Sequence, residues 1–169
     1  EQNQVKYHWS QFDLGSLADS VVKELSSKAR GSKVKLVWQR PTVLSAVRGD
    51  SEKLRACMLN LIDNAIKYGS QEDQNSSVTI TLQPEKDGFS FAVADQGLGF
   101  DETDRAHFFA KFSRGDNARG VHVNYSSGLG LYIVKSFVEA HGGEVFAESA
   151  GRGKGSAFGF WVPREREAE

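Results

Sequence analysis

Residues 60–68, which read NLIDNAIKY, combine an apolar helix pattern with a polar stripe, and this restricts the fold more than any other stretch. Asn60, Asn64 and Lys67 lie at positions i, i+4 and i+7, so a helix projects all three from one side. Asparagine is a poor helix former and is costly to bury without hydrogen-bond partners. The stripe therefore predicts a polar occupant beside this helix, at the rim of a pocket.

The composition indicates a single globular domain. The chain has 169 residues, of which 39% are hydrophobic and 25% charged, enough for one domain with its own core. A formal net charge of -1 gives no reason to expect nucleic acid or anionic lipid as a partner. Cys57 is the only cysteine and is interpreted as core packing. Because the sequence lacks a membrane-span pattern and an opening signal peptide, we expect a cytoplasmic domain without direct membrane contact.

Hydrophobic periodicity predicts helices interleaved with strands. Helical spacing occurs at 14–25, 51–68 and 131–141, with Asp13 and Asp50 as caps of the first two helices. Alternating apolar residues predict strands at 34–38, 42–48, 78–82, 89–93, 144–148 and 156–162. This order indicates an α+β fold: a two-layer α/β sandwich with a mixed sheet of about five strands and about three helices on one face.

The glycine-rich turn at 95–99 follows a predicted strand and allows two interpretations. The carboxylate of Asp95 would accept a hydrogen bond from an exocyclic amine such as N6 of adenine, whereas guanine presents an acceptor at that place. Gly97 and Gly99 would permit close backbone approach to a bound group. An ordinary Asp-Gly turn is the alternative.

Two further glycine-rich segments follow. Gly128 and Gly130 precede a predicted helix, whose free N–H groups and positive end suit a phosphate group; a flexible loop that enters a packed helix fits equally well. A dinucleotide-binding fingerprint is disfavoured because no strand directly precedes these glycines. Residues 151–158 superficially resemble a P-loop, but Glu148 stands where its first glycine should be and Gly155, not Ser or Thr, follows Lys154. We therefore interpret them as a tight turn between strands.

Taken in order, five stretches closely resemble the ATP-binding domain of bacterial sensor histidine kinases. They are NLIDNAIKY at 60–68, DQGLG at 95–99, FFAKFSR at 108–114, GLGL at 128–131 and GKGSAF at 153–158. This GHKL, or Bergerat, fold is shared with gyrase, Hsp90 and MutL. The resemblance covers 12–163, which leaves 1–11 as a linker or remnant of an upstream dimerisation domain and 164–169 as a charged tail.

The resemblance gives the polar stripe a purpose. It implies that Asn64 coordinates Mg²⁺ through its side-chain oxygen, which suits an ion that takes few protein ligands besides phosphate oxygens and water. Lys67 would neutralise phosphate charge, Tyr68 would pack against adenine, and Asn60 would bind phosphate or metal-bound water. The alternative, a surface face with an Asp63–Lys67 ion pair, gives the two asparagines no purpose.

The resemblance also implies a complete nucleotide site for the cofactors ATP and Mg²⁺. Its expected members are Asn60, Asn64, Lys67, Tyr68, Asp95, Gly97, Gly99, Phe100, Phe109, Lys111, Phe112, Gly128, Leu129, Gly130, Leu131 and Ser156. Phosphoryl transfer would depend on Asn60, Asn64, Lys67 and Arg114, with Lys111 as a second cation of a lid that closes over the nucleotide. Phe108, Phe109 and Phe112 would anchor that lid.

The implied function is transfer of the γ-phosphoryl group to a histidine on a separate dimerisation domain, which passes it to a response regulator's receiver domain. Hydrolases of the wider fold place a water-activating glutamate where this chain has Asn60, and an amide takes no proton at neutral pH. We therefore expect slow hydrolysis of ATP.

The alternative is a nucleotide-gated or degenerate kinase that regulates partners by contact, because Ser126 and Ala56 depart from the usual pattern. A third candidate, an anti-sigma-factor serine kinase, is disfavoured by Asn60. The domain would form the cytoplasmic part of a larger, membrane-bound sensor.

Overall fold

The computed structural model describes residues 4–69, 75–110 and 130–167. Its elements, in chain order, are β1 (Ser10–Asp13), α1 (Leu14–Gly31), β2 (Val34–Gln39), β3 (Ala46–Gly49), α2 (Ser51–Tyr68), β4 (Ser76–Glu85), β5 (Gly88–Asp95), α3 (Glu102–Arg105), α4 (Gly130–Ala140), β6 (Glu144–Glu148) and β7 (Ser156–Pro163). A five-stranded sheet forms one layer, and α1, α2 and α4 pack on one of its faces. The predicted two-layer α/β sandwich is confirmed. None of the described helices is long and apolar enough to cross a bilayer.

The sheet has the strand order β2-β4-β5-β7-β6, in which β2 and β4 are parallel and the other neighbours antiparallel. Alternate residues of each strand face the helices, and in β4 these are Val78, Ile80 and Leu82. The same alternation brings Phe91 of β5 against Phe160 of β7, with ring centroids 5.3 Å apart. Because Asp95 lies four residues after Phe91, it belongs to the same helix-facing row at the end of β5.

Both predicted helix caps are confirmed. Asp13 Oδ2 accepts from the backbone N of Ser16 at 2.9 Å at the start of α1. Asp50 Oδ1 accepts from the backbone N of Lys53 at 3.1 Å at the start of α2. Each carboxylate satisfies an N–H group that the first helical turn leaves without an intrahelical partner, and this fixes where the two helices begin.

Strand boundaries differ most from the prediction in β3 and in the hairpin of β4 and β5. The strand expected at 42–48 begins only at Ala46, because Val43 and Leu44 are 51% and 72% exposed and gain no burial from extended pairing. In the hairpin of β4 and β5, pairing continues to Glu85 and leaves only Lys86 and Asp87 in the turn. Lys86 has a φ of 51°, as a tight turn requires. The end of β4 is exposed and carries no apolar alternation that would reveal it in the sequence.

Strand β1 was not predicted. It pairs antiparallel with β3, so Ser10 lies opposite Gly49 and Gln11 opposite Arg48. Ser10 and Gln11, which fall in the predicted linker, are therefore paired with the domain. A four-residue strand with an exposed beginning is too short to show a hydrophobic period.

His141 joins the end of α4 to the start of α2. The side chain is 3% exposed; Nε2 accepts from the backbone N of Asp50 at 2.9 Å and Nδ1 lies 2.6 Å from the carbonyl oxygen of Phe137. These partners require the proton on Nδ1 and a neutral ring. A Cβ added to Gly49 would lie 2.9 Å from the imidazole, so only glycine permits this approach.

The N-terminal segment covers the same imidazole. The ring of Trp9 lies 4.9 Å from that of His141, and the ring of Tyr7 lies 6.1 Å from it. The backbone N of His8 donates to Asp50 Oδ2 at 2.9 Å. The guanidinium of Arg166, near the other end of the chain, lies 6.0 Å from the Trp9 ring centroid. His141 is therefore buried by the two ends of the described chain together.

We expect His141 to make the domain less stable in acid. Burial lowers the pKa of the His141 imidazole below its ordinary 6.5, with Asp50 opposing and Arg166 adding to the shift. The unfolded chain therefore binds this proton at a higher pH than the folded chain, and stability is lost as the pH falls below the ordinary pKa of 6.5. His141→Ala should lower the free energy of unfolding at about pH 7 by about 2–4 kcal/mol and flatten its pH dependence.

Urea unfolding at several pH values measures both effects. His107→Ala is the matched control, because His107 is exposed and its loss should keep the wild-type slope of stability against pH. An unchanged slope in His141→Ala would show that this imidazole is not the group responsible.

Candidate functional site

A narrow pocket opens where the end of α2, the turn after β5 and the start of β7 meet. Its lining residues are Asn64, Ala65, Tyr68, Asp95, Leu98, Gly99, Ser156 and Phe158. Five of these, all but Ala65, Leu98 and Phe158, were predicted as site residues from three separate stretches of sequence. The cavity volume is about 10 Å³, room for one water molecule.

Asp95 is the acid of this pocket. Oδ1 accepts from the backbone N of Gly97 at 2.9 Å, and Oδ2 accepts from the hydroxyl of Ser156 at 2.9 Å. Burial raises the pKa of the Asp95 carboxyl, while these two hydrogen bonds oppose the rise. Each carboxylate oxygen has a second lone pair. The arrangement is an oriented acceptor suited to a donor that enters the pocket.

Three glycines let the backbone close around Asp95. A Cβ on Gly69, the residue after α2, would lie 2.4 Å from Asp95 Cβ, and one on Gly97 would lie 2.7 Å from Gly69 Cα. A Cβ on Gly155, whose φ is +72°, would lie 2.2 Å from the Asp95 carbonyl oxygen. Any larger residue forces these segments apart. The position of the acid is thus fixed by direct contact between three backbone segments.

The two asparagines of the stripe lie next to the start of α4. Asn64 Nδ2 donates to Asn60 Oδ1 at 3.5 Å, a long bond. A Cβ on Gly130 would lie 2.5 Å from Asn60 Oδ1, so this glycine allows the helix start to touch the stripe. The positive end of α4 therefore faces amide groups that lead into the pocket through Asn64.

Lys67 does not face the pocket in this structure. Its ammonium pairs with Asp63 Oδ2 at 3.0 Å and its side chain is 43% exposed. Asp63 also pairs with Lys28 of α1. The i,i+4 pair that the sequence offered as an alternative is therefore formed. Exposed pairs of this kind are worth at most about 1 kcal/mol, so the bond is weak enough to be exchanged for a phosphate contact.

Several predicted site residues support the pocket from behind. Phe100 is 3% exposed and packs on Phe108 and Phe158, with centroids 4.7 and 5.7 Å away. Phe109 contacts the edge of Phe158 at 6.4 Å, and Leu131 is 5% exposed in the core. The structure thus places Phe100, Phe109 and Leu131 outside the pocket lining, because their apolar side chains are held by other apolar groups.

The remaining predicted residues, Lys111, Phe112, Arg114, Gly128 and Leu129, lie outside the described residues. Sequence reasoning missed Ala65, Leu98 and Phe158, which line the pocket. Ala65 and Phe158 carry the same apolar pattern as core residues, so periodicity does not distinguish them. In the part of the chain that the structure describes, no three His, Cys, Asp or Glu side chains are grouped so as to hold a metal.

Comparison with known proteins assigns the family. The profile described as histidine kinase-, DNA gyrase B-, and HSP90-like ATPase matches residues 49–166, so the chain belongs to this ATPase family. Within it, the chain corresponds to the ATP-binding catalytic domain of sensor histidine kinases, and the resemblance seen in the sequence is confirmed.

Three relatives carry this conclusion. The circadian input-output histidine kinase CikA of Synechococcus elongatus is 33% identical over 91% of the chain, and the sensor histidine kinase WalK of Bacillus subtilis is 36% identical over 71%. Full-length ShkA in complex with AMPPNP has a TM-score of 0.80 at 27% identity and covers 98% of the chain. The chain spans only 20% of CikA, 19% of WalK and 33% of ShkA.

We expect Asp95→Asn to weaken binding of an adenine nucleotide by about 1–3 kcal/mol, or about 5- to 150-fold. The amide group would present a donor where the pocket now presents an acceptor. Titration of a fluorescent ATP analogue measures the change. Asp87→Asn is the control, because it removes a carboxylate from the exposed turn between β4 and β5. Equal affinities of wild type and Asp95→Asn would contradict the role of Asp95.

Proposed function

We propose that this domain binds Mg-ATP and donates the γ-phosphoryl group to a histidine on a separate dimerisation domain, from which it passes to a response regulator. One observation carries the proposal: Asp95 and Asn64, far apart in sequence, line the same pocket. The proposed acceptor for the base and the proposed metal ligand thus lie in one cavity, which supports a nucleotide site. The AMPPNP complex of the similar ShkA supports the choice of nucleotide.

Asp95 would select adenine. The N6 amine of adenine donates to a carboxylate, whereas the guanine oxygen at that place would face Asp95 as a second acceptor. Tyr68 lies in the lining and would pack against the base. Ser156 would keep Asp95 oriented through the bond to Oδ2. ATP is therefore preferred over GTP because the wrong base leaves a buried acceptor without a donor.

Asn60, Asn64 and the start of α4 would hold the phosphates. The amide oxygen of Asn64 is a hard ligand that suits Mg²⁺, and phosphate oxygens and waters would complete the shell. When bound, Mg²⁺ supplies charge neutralisation. Lys67 would leave Asp63 to pair with phosphate, and the N–H groups at Gly130 would add their positive dipole. Lys111 and Arg114 remain predictions as the cations of a lid.

The reaction proposed is group transfer rather than hydrolysis. An imidazole nitrogen of the acceptor would form a bond to the γ-phosphorus as the bond to the bridging oxygen breaks, and ADP would leave with that electron pair. The ring releases its proton to solvent. Asn60 has no proton affinity with which to activate water, so hydrolysis should be slow and the phosphoryl group is kept for the protein acceptor.

A second candidate is a degenerate kinase that acts through nucleotide-dependent contacts without transfer. The observation that favours it is the pairing of Lys67 with Asp63, because Lys67 contacts a phosphate only after this ion pair is given up. The two candidates share the nucleotide pocket and differ in chemistry. Phosphoryl transfer therefore distinguishes them, whereas ATP binding does not.

We expect Asn64→Ala to remove the Mg²⁺ dependence of nucleotide binding, because the amide oxygen is the proposed metal ligand. Titrations of the ATP analogue with and without Mg²⁺ should differ in the wild type and coincide in the variant. The control is Asn75→Ala, which deletes an exposed amide just before β4. An Asn64→Ala protein that still gains affinity from Mg²⁺ would rule out this ligand.

Transfer itself is tested by incubating the chain with γ-labelled ATP and an isolated dimerisation domain from a histidine kinase. Label on the acceptor histidine, absent when that histidine is replaced by glutamine, is the expected result. ATP binding without any label would favour the second candidate, provided that the acceptor domain is labelled by its own catalytic domain in parallel.

A further inference from the structure

We propose that Ser149 is a positioning residue for the nucleotide pocket. Its hydroxyl fixes the turn after Asp95 against the loop that joins β6 to β7, and so sets the shape of the wall that faces the base. The inference rests on the proposed function, because it concerns how the same pocket recognises adenine. Ser149 follows β6 directly and does not itself line the pocket.

The Ser149 hydroxyl uses its full hydrogen-bonding capacity within the protein. It donates to the carbonyl oxygen of Gly155 at 2.7 Å and accepts from the backbone N of Phe100 at 3.1 Å and of Gly151 at 3.2 Å. The Gly151 carbonyl lies at 3.1 Å, but the single proton favours the shorter contact. One donor and two acceptor sites are thus occupied. The bonds join two segments at one oxygen atom, the turn after β5 and the loop between β6 and β7.

The segments held by this hydroxyl include the pocket wall. A Cβ added to Gly99, whose φ is +61°, would lie 2.9 Å from Ser149 Oγ, so the hydroxyl lies directly against the turn. Two backbone bonds run beside it: Gly155 N to the Gly97 carbonyl at 3.1 Å and Gly153 N to the Leu98 carbonyl at 2.6 Å. Leu98 and Gly99 line the pocket.

Removal of the hydroxyl would therefore loosen the base side of the site. Phe100 and Gly155 are buried, so a lost bond to either leaves a polar backbone group that only a shift of the turn can satisfy. Gly97, in the same turn, donates to Asp95 Oδ1. A shift of the turn thus changes the orientation of the acid that reads the base. Asn60 and Asn64 belong to α2, which the Ser149 bonds do not include.

The test compares fluorescent ATP and GTP analogues on the full chain. Ser149→Ala should weaken ATP binding about 3- to 10-fold, reduce the ATP-to-GTP preference, and leave the Mg²⁺ dependence intact. Ser149→Thr keeps the hydroxyl and should restore the preference. Ser45→Ala is the control: Ser45 is also buried but lies before β3, outside the pocket lining, and its loss should leave both affinities unchanged.

The outcomes distinguish failure of the inference about Ser149 from failure of the proposed function. Wild-type protein that binds no ATP overturns the proposed function. The inference alone is overturned if the wild-type protein binds ATP and Ser149→Ala has a lower melting temperature but an unchanged ATP-to-GTP preference. A hydroxyl that only stabilises the fold would behave in this way. If Ser149→Ala does not fold, Ser149→Cys replaces it, because a thiol is a weaker donor and acceptor than a hydroxyl. Ser149→Cys should show the same loss of ATP-to-GTP preference, and an unchanged preference in this variant would overturn the inference.

Discussion

The structure around the pocket depends on backbone contact at Asp95. Gly69, Gly97 and Gly155 leave no space for a side chain, so the end of α2, the turn after β5 and the loop before β7 touch main chain to main chain. Such contacts do not relax by a change of side-chain rotamer, unlike contacts between long side chains. The carboxylate that they surround is therefore pre-organised before a ligand arrives, and the ordering cost falls on folding rather than on binding.

Helix α2 serves the core and the pocket at once. Leu54, Met58 and Leu61 bury one side of it completely, while the asparagine stripe runs along an adjacent side toward Gly130 and Asp95. The apolar side supplies the stability that holds the helix in place despite two residues of poor helix propensity. The stripe has no part in that packing, so the core tolerates a polar pattern that would weaken an isolated helix.

The sequence predicted features that repeat or that match a known order of motifs. Alternation in β4 and β5 located the sheet. The motif order predicted that Asn64, Asp95 and Ser156 belong to one site, and in the structure all three line the same pocket. The sequence did not predict β1, which is too short for a period. It also left open whether Lys67 pairs with Asp63 or faces the pocket, because that choice depends on the side-chain rotamer. The sequence did not indicate a role for Ser149, because its hydrogen-bond partners lie 2 to 49 positions away and leave no pattern in the sequence.

The two ends of the described chain meet on His141, where Trp9 lies under Arg166, whereas the pocket lies at the opposite end of β7. Ser156 begins that strand beside Asp95, and Pro163 ends it beside Gly88, about 23 Å away at the usual rise per residue. Both the Trp9–Arg166 contact and the pairing of β1 with β3 lie at the Pro163 end of β7, where the backbone N of Arg48 donates to the Arg164 carbonyl oxygen at 2.8 Å. A change in the contacts of either of these segments would therefore reach Asp95 only through the length of a strand.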